Sequence, residues 1–162
     1  MLRNIYFAFI YPHILYGIEI YRNTCLTYLD KLTKINNNLL RILKNRGPSV
    51  PCVLLYSTYN TLSPSKLHTC QILCLVYKFL YYKQLLPAVF TNYSTLNSTF
   101  HLHITRNKHL LHLSPINTSH GHRSIPFKGS LLWNNLPVYL HQIPTFNLYK
   151  NRLKSHLLSG DK

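Results

Sequence analysis

Carboxylates are the side chains that hydrolytic and phosphoryl-transfer chemistry most needs, and this chain of 162 residues has three. They are Glu19, Asp30 and Asp161, scattered along the sequence. A two-metal site requires several clustered carboxylates, and a glycosidase requires two that face each other. A Ser-His-Asp triad also needs an acid to orient its histidine. The acid count therefore predicts that the chain, taken alone, is not an enzyme.

Cysteine and histidine are the remaining candidates for site chemistry. Cys70 and Cys74 are four residues apart in a predicted helix, which places both on one face. No second pair of ligands has the spacing of a zinc finger. The ten histidines include three close pairs, His101/His103, His109/His112 and His120/His122. We expect Cys70 and Cys74 to be small buried apolar residues. Because the histidine pairs lack neighbouring acids or cysteines, we expect no bound metal and no other cofactor.

Basic side chains dominate the charge. The chain has 18 Lys and Arg residues and a net charge of +15. Such a surplus repels itself unless an anion binds, and nucleic acid is the expected anion, with an acidic membrane second. Biased codon usage is the alternative explanation for the abundant Lys, Asn, Ile and Tyr, but it does not explain the scarcity of acids.

The N-terminal residues resemble a signal or anchor only in part. Arg3 precedes an apolar run from Ile5 to Ile20, which Pro12 and Glu19 interrupt. No small-residue cleavage motif follows, and the run is shorter than the roughly 20 residues that span a bilayer. A short basic protein that is secreted or membrane-associated therefore remains an alternative interpretation.

Helical periodicity dominates the first half of the chain. Residues 5–21 are predicted to form an apolar helix bent or broken at Pro12. Residues 28–44 are predicted to form an amphipathic helix whose apolar residues repeat every three or four positions. That apolar stripe consists of Leu29, Leu32, Ile35, Leu39 and Ile42.

Two more helices are predicted before residue 87. Residues 51–59 favour a short helix, and Ser63 is expected to cap a longer one from about Pro64 to Tyr82. The longer helix is expected to bury Leu67, Cys70, Ile72, Leu73, Leu75, Val76, Phe79 and Leu80.

Composition changes after Pro87. Residues 88–108 are rich in Ser, Thr and Asn and are predicted to be loop with at most one strand. Residues 109–116 and 123–127 are predicted to be two strands around a turn at 120–122.

The chain is predicted to end in helices. Gly129 to Asn135 favour a short helix that stops before Pro137. Thr145 is expected to cap a last helix with Phe146, Tyr149, Leu153 and Leu157 on one stripe.

Several short motifs occur in one order along nearly the whole chain. They are Tyr11-Pro12-His13-Ile14-Leu15-Tyr16-Gly17-Ile18-Glu19-Ile20, the run from Lys34 to Ile42, Thr105-Arg106-Asn107, Arg123-Ser124-Ile125, Gly129, Trp133-Asn134, Leu136-Pro137, Phe146 and the run from Lys150 to Leu158. In this order and spacing they resemble the C-terminal part of LINE-type, jockey-like non-LTR retrotransposon reverse transcriptases. The sequence departs from that family at Tyr21-Arg22, where a Trp-Gly pair is common, and at Asn36, Asn38 and Leu39.

The resemblance implies a C-terminal fragment of an RNA-directed DNA polymerase that lacks the catalytic palm. The implied fold is mostly α, with a thumb-like helical bundle over residues 1–87, a loop-rich linker over 88–108 and a small basic α+β tail over 109–162. Implied partners are the RNA and DNA backbone and the missing palm and fingers, with no small-molecule substrate. Magnesium would serve the parent polymerase only, and a nuclear or cytoplasmic location is expected. A truncated product without function is the other alternative.

The candidate phosphate-binding residues are cations, since phosphate contacts fix register without reading sequence. In the thumb-like region they are Lys31, Lys34, Arg41, Lys44 and Arg46, for which a solvated helix face is the alternative. In the tail they are Arg106, Lys108, Arg123 and Lys128, which alternate with aromatic and His rings in a way that suits single-stranded or structured RNA. Bonding to strand-end carbonyls is favoured slightly for Arg123, and a core anchor for Trp133.

Overall fold

The computed structural model describes residues 2–18, 26–45, 50–90, 92–100 and 106–160. Within these ranges the regular secondary structure is helical, apart from one isolated antiparallel bridge between Leu96 and Leu111. The predicted mostly α class is therefore confirmed. Contacts divide the chain into two compact units: the first unit is Met1–Cys70 with Lys154–Lys162, and the second unit is Gln71–Leu153. The three-part division at residues 88–108 stays a prediction.

The first helical segment changes its pitch before Pro12. Helix α1 (Leu2–Ile5) leads into a π-helical turn (Tyr6–Ile10) and then into α2 (Tyr11–Leu15). The Tyr11 N–H donates to the carbonyl oxygen of Tyr6, five residues earlier. Because a proline ring crowds the carbonyl four residues before it, the wider turn accommodates Pro12 without ending the helix. No helix of the described ranges is both long and apolar enough to cross a membrane.

Helix α3 (Leu26–Leu43) has the predicted length but buries a different face. Leu29, Asn36 and Leu40 are buried, whereas Ile35 is 57% exposed and Ile42 is 69% exposed. The predicted apolar stripe is therefore only partly the buried face: Leu29 is buried and Leu32 and Leu39 are half-buried, but Ile35 and Ile42 are exposed. The reason is that hydrogen-bonding tyrosines surround Asn36, and a buried polar group that is hydrogen-bonded costs little.

Helices α4 (Cys52–Tyr59) and α5 (Pro64–Tyr81) confirm the predicted boundaries. The Lys66 N–H donates to the Ser63 Oγ at 3.5 Å, as an N-cap requires. Most of the residues expected to be buried on α5 are buried, and so are His68 and Tyr77. Cys70 and Cys74 are buried and form no disulfide, as expected for two small apolar residues on one helix face. Two 3-10 turns follow, Lys83–Leu85 and Ala88–Phe90.

The described part of the tail is helical, so the prediction of an α+β tail is wrong. A short helix α6 (Asn97–Phe100) lies before it, within the predicted linker. The helices of the tail are α7 (Ser119–Arg123), α8 (Ile125–Asn134), α9 (Val138–His141) and α10 (Phe146–Ser159). Residues 109–116, predicted as a strand, contain only the isolated bridge at Leu111. Of residues 123–127, Arg123 ends α7 and residues 125–127 form the start of α8, because a proline in the first turn favours a helix start over a strand.

Aromatic rings form the core of the second unit. The rings of Tyr77 and Tyr149 are stacked with centroids 4.4 Å apart, and Trp133 lies 5.9 Å from Tyr149. Trp133 is 2% exposed and is therefore a core anchor, as predicted. Gly129 lies close to this core, where a Cβ would come within 2.7 Å of the Val76 Cγ2.

Candidate nucleic-acid interface

The cations of α3 divide into an exposed pair and a half-buried pair. Lys31 and Lys34 are exposed in the first half of the helix, whereas Arg41 is half-buried in its last turn and Lys44 is half-buried directly after it. Lys34 and Arg41 are two turns apart and so lie on one side of the helix. Arg46 lies outside the described residues.

The half-buried pair is already bonded within the first unit. Arg41 donates to the Asn38 Oδ1 at 3.2 Å and to the Cys52 Sγ at 3.3 Å. The Lys44 Nζ donates to the Thr58 Oγ1 at 3.0 Å. These contacts tie α3 to α4, so two of the predicted phosphate ligands also hold the fold together. That role has no signal in the sequence, because the bonded partners are 11 and 14 residues away.

The second unit contains no acidic residue at all. Its sequence holds eight basic residues: Lys78, Lys83, Arg106, Lys108, Arg123, Lys128, Lys150 and Arg152. None of these cations has a carboxylate of its own unit as a partner. An external anion is therefore the simplest way to neutralise their mutual repulsion.

The predicted tail cations lie in two places of this unit. Arg106 is exposed and Lys108 half-buried in a turn before the Leu111 bridge. Arg123 is exposed at the carboxyl end of α7, and Lys128 is half-buried on the adjoining α8. A cation suits a helix carboxyl end, where backbone carbonyls carry partial negative charge. The interpretation of Arg123 as a ligand of strand-end carbonyls is wrong, since that segment is not a strand.

Asn134 has a structural role that the sequence analysis missed. Its Nδ2 donates to the Leu111 carbonyl oxygen at 2.9 Å, and the Leu111 N–H donates to its Oδ1 at 2.9 Å. The side chain thus satisfies both backbone groups of a buried residue, as a neighbouring strand would. The Trp133-Asn134 motif is accounted for by packing and hydrogen bonding.

A buried hydrogen-bond chain links the helices of the first unit. The Tyr6 hydroxyl donates to the Asn36 Oδ1 at 2.8 Å, and the Asn36 Nδ2 donates to the Tyr56 hydroxyl oxygen at 3.0 Å. The Tyr56 hydroxyl in turn donates to the Asn37 Oδ1 at 2.6 Å. Burial raises the pKa of Tyr56 to about 12 and raises the pKa of Tyr6 further. Both phenols therefore stay neutral and serve the fold rather than proton transfer.

The pKa of His141 is lowered by its position against the aromatic core of the second unit. Its ring lies 4.9 Å from the Trp133 ring, and its Nε2 is buried without a hydrogen-bond partner among the described residues. Burial lowers the pKa of His141, and hydrogen bonds to the Trp133 and Leu136 backbone oppose that shift. The side chain is therefore neutral near pH 7.

The described residues contain no group of three or more His, Cys, Asp or Glu side chains that could hold a metal ion. Comparison with protein families, with curated proteins and with solved structures finds no match. The retrotransposon resemblance therefore stays a hypothesis, carried by the motifs of the sequence.

Proposed function

We propose that this chain is a nucleic-acid-binding C-terminal fragment of a LINE-type RNA-directed DNA polymerase, without catalytic activity of its own. The observation that carries the proposal is the second unit, which has eight cations and no acid. Arg106 and Arg123 are exposed there. A guanidinium binds a phosphate through two parallel hydrogen bonds, which makes arginine well suited to a nucleic-acid backbone.

Binding of this kind is electrostatic and independent of base sequence. Cations on helices and turns contact phosphates and release counterions, so affinity depends on salt more than on sequence. Lys31 and Lys34 of the first unit are exposed and supply further positive charge. The expected ligands are RNA and DNA strands of any sequence.

The salt dependence of binding tests the proposal. Fluorescence anisotropy with an RNA–DNA duplex of about 20 base pairs would give the dissociation constant at several salt concentrations. On duplex DNA, log affinity falls with log salt at a slope of about −0.9 for each phosphate contact, and we expect a steep slope for the hybrid duplex as well. A slope near zero for RNA and for DNA would reject nucleic-acid binding, and incorporation of nucleotides by the purified chain would reject the absence of catalysis.

An exposed apolar surface on the first unit supports the fragment interpretation. Ile35 and Ile42 of α3 are exposed, Phe9 is 68% exposed, and a cleft of about 400 Å³ lies between Phe9 and Leu32. Exposed apolar patches mark interaction surfaces, and the missing palm and fingers would cover this one. The DNA upstream of the coding sequence is expected to encode a palm, in frame or decayed, and unrelated upstream DNA would contradict this origin.

An anionic membrane surface is the second candidate partner. Leu2, Ile5 and Phe9 are exposed on the first helical segment, and Arg3 lies among them. Apolar residues beside cations are typical of helices that lie in a membrane interface. Flotation with vesicles that contain phosphatidylserine, compared with phosphatidylcholine alone, tests this candidate, since binding to neither kind of vesicle rejects it.

A further inference from the structure

A cleft of about 520 Å³ lies within the second unit. It is formed by the last turn of α5, the 3-10 turn at Lys83–Leu85 and the start of α10. Its lining includes Lys78, Tyr82, Leu85, Leu86, Phe146 and Asn147. The volume is within the range of about 300–1,000 Å³ that small-molecule and cofactor sites have.

The lining combines rings and aliphatic side chains with one cation. Tyr82 and Phe146 are half-buried, and Leu85 is 74% exposed. The Lys78 Nζ lies 5.0 Å from the centroid of the Phe146 ring, which holds the ammonium group beside the cleft. A flat apolar group with an adjacent negative charge would match both parts of this lining.

The charge of the unit narrows the class of ligand. The second unit lacks acids, so a cationic ligand would find no partner in it. An inorganic anion alone would leave the apolar walls exposed to water. A nucleotide satisfies both conditions, because its base is planar and largely apolar on its faces while its phosphate is anionic.

Resting on the proposed function, we propose that this cleft binds one unpaired nucleotide of a single-stranded RNA or DNA. The base stacks against Tyr82 between the leucine side chains, and Lys78 binds the adjacent phosphate. A base inside a duplex is already stacked and paired, so the cleft selects single strands. Trp133, the single tryptophan of the chain, is buried and cannot serve as the platform.

Replacing one ring tests the site. Tyr82→Leu removes the stacking ring and keeps an apolar side chain, and Tyr139→Leu is the matched control, an exposed tyrosine that does not line the cleft. We expect Tyr82→Leu to weaken binding of a single-stranded 15-mer about tenfold, since it removes one stacking contact between a base and a ring. Its affinity for a duplex of equal length should be unchanged, and Tyr139→Leu should change neither affinity.

The outcomes separate this site from the proposed function. Suppose that the unaltered chain binds duplex with a steep salt slope, and that Tyr82→Leu and the unaltered chain bind single strands with equal affinity. The cleft proposal is then wrong and nucleic-acid binding stands. Equal weakening on single strands and duplex also rejects the cleft as a site for unpaired bases. If the unaltered chain binds neither ligand, both proposals fail.

Circular dichroism would show whether Tyr82→Leu is folded. If it is not, a second variant tests the cleft instead. Lys78 is exposed, so Lys78→Gln is expected to keep the fold. The salt slope for a single strand should decrease by about 0.7, the value of one phosphate contact on single-stranded nucleic acid. A 15-mer that contains 4-thiouridine should crosslink within residues 78–86 or 145–147. An unchanged slope together with crosslinks only elsewhere would overturn the proposal.

Discussion

The first unit joins its helices by side-chain hydrogen bonds, whereas the second unit packs aromatic rings around Trp133. In the first unit, Arg41 and Lys44 bond to groups on the neighbouring helix, and Asn36 links two tyrosines. In the second unit, Arg106 and Arg123 are exposed and no carboxylate accompanies them. Positive charge alone therefore does not mark an interface. What distinguishes the second unit is that its sequence supplies no acid and that Arg106 and Arg123 are exposed, whereas Arg41 and Lys44 of the first unit are bonded to neighbouring side chains.

Each unit also depends on one asparagine that bonds to a buried group, and the larger effect is expected in the second unit. Asn134→Ala would leave the Leu111 N–H and carbonyl buried and unsatisfied. Each such group costs about 1–3 kcal/mol, so we expect a loss of about 2–6 kcal/mol in the free energy of unfolding. Urea denaturation would measure it, with the exposed neighbour Asn135→Ala as control. Equal stability of the two variants would show that the Leu111 pairing contributes nothing.

A smaller loss is expected from the corresponding change in the first unit. Asn36→Ala leaves the Tyr6 hydroxyl without its acceptor, while the Tyr56 hydroxyl keeps its bond to Asn37. We therefore expect a loss of about 1–3 kcal/mol in the free energy of unfolding, measured in the same way. Asn38→Ala, on the exposed side of α3, should cost much less. A loss greater than that of Asn134→Ala would reverse the comparison.

High pH is expected to destabilise the first unit. The pKa of Tyr56 is about 12 in the folded chain and about 10 in an unfolded one. Between these values the unfolded chain loses the proton first, so the free energy of unfolding decreases as pH rises. Melting temperatures measured from pH 9 to pH 12 should fall less steeply in Tyr56→Phe. Tyr16→Phe is the exposed control, and an identical pH dependence in both variants would contradict the assignment.

Low pH is expected to destabilise the second unit. Burial lowers the pKa of His141 below the ordinary value of 6.5. Below about pH 6.5 the unfolded chain binds a proton that the folded chain does not, so stability decreases as pH falls through that value. Thermal melts from pH 8 to pH 4 should show a shallower decline in His141→Phe than in the exposed control His109→Phe. No difference between the two would show that His141 is not responsible.

The smallest expected effect concerns the exposed arginines. Arg123→Gln should change stability by less than about 1 kcal/mol, the most that an exposed cation contributes at a helix carboxyl end, and should reduce the salt slope for duplex by about 0.9, the value of one phosphate contact. Arg41→Gln should lower stability as well, because it removes the bond to Cys52. Denaturation and anisotropy on the same samples would distinguish them. The contrast between the units fails if the two variants behave alike.

Local rules located most helices correctly. Ser63 and Pro64 marked the start of α5, and Thr145 marked the start of α10 one residue before Phe146. These signals act within one helical turn, so they are readable from neighbouring residues. The strand prediction for residues 123–127 was wrong because two local rules conflicted there. The apolar alternation around Ile125 suggested a strand, whereas Ser124 and Pro126 favoured the start of a helix.

Which face a helix buries was not readable in the same way. The stripe from Leu32 to Ile42 has a regular three- and four-residue spacing, yet Ile35 and Ile42 are exposed while Asn36 is buried. The hydrogen-bond partners of Asn36 are 20 and 30 residues away, and no local sequence pattern predicts them. The roles of Arg41 and Asn134 were missed for the same reason.

The sequence by itself determined the helical class, the surplus of positive charge and the shortage of acids, since periodicity, capping and composition are properties of short segments or of the whole count. Only the tertiary structure decided which asparagines are buried, which cations hold helices together and where a cleft forms beside Lys78. Those outcomes depend on contacts between residues far apart in the chain, and their energies exist only once the helices have packed.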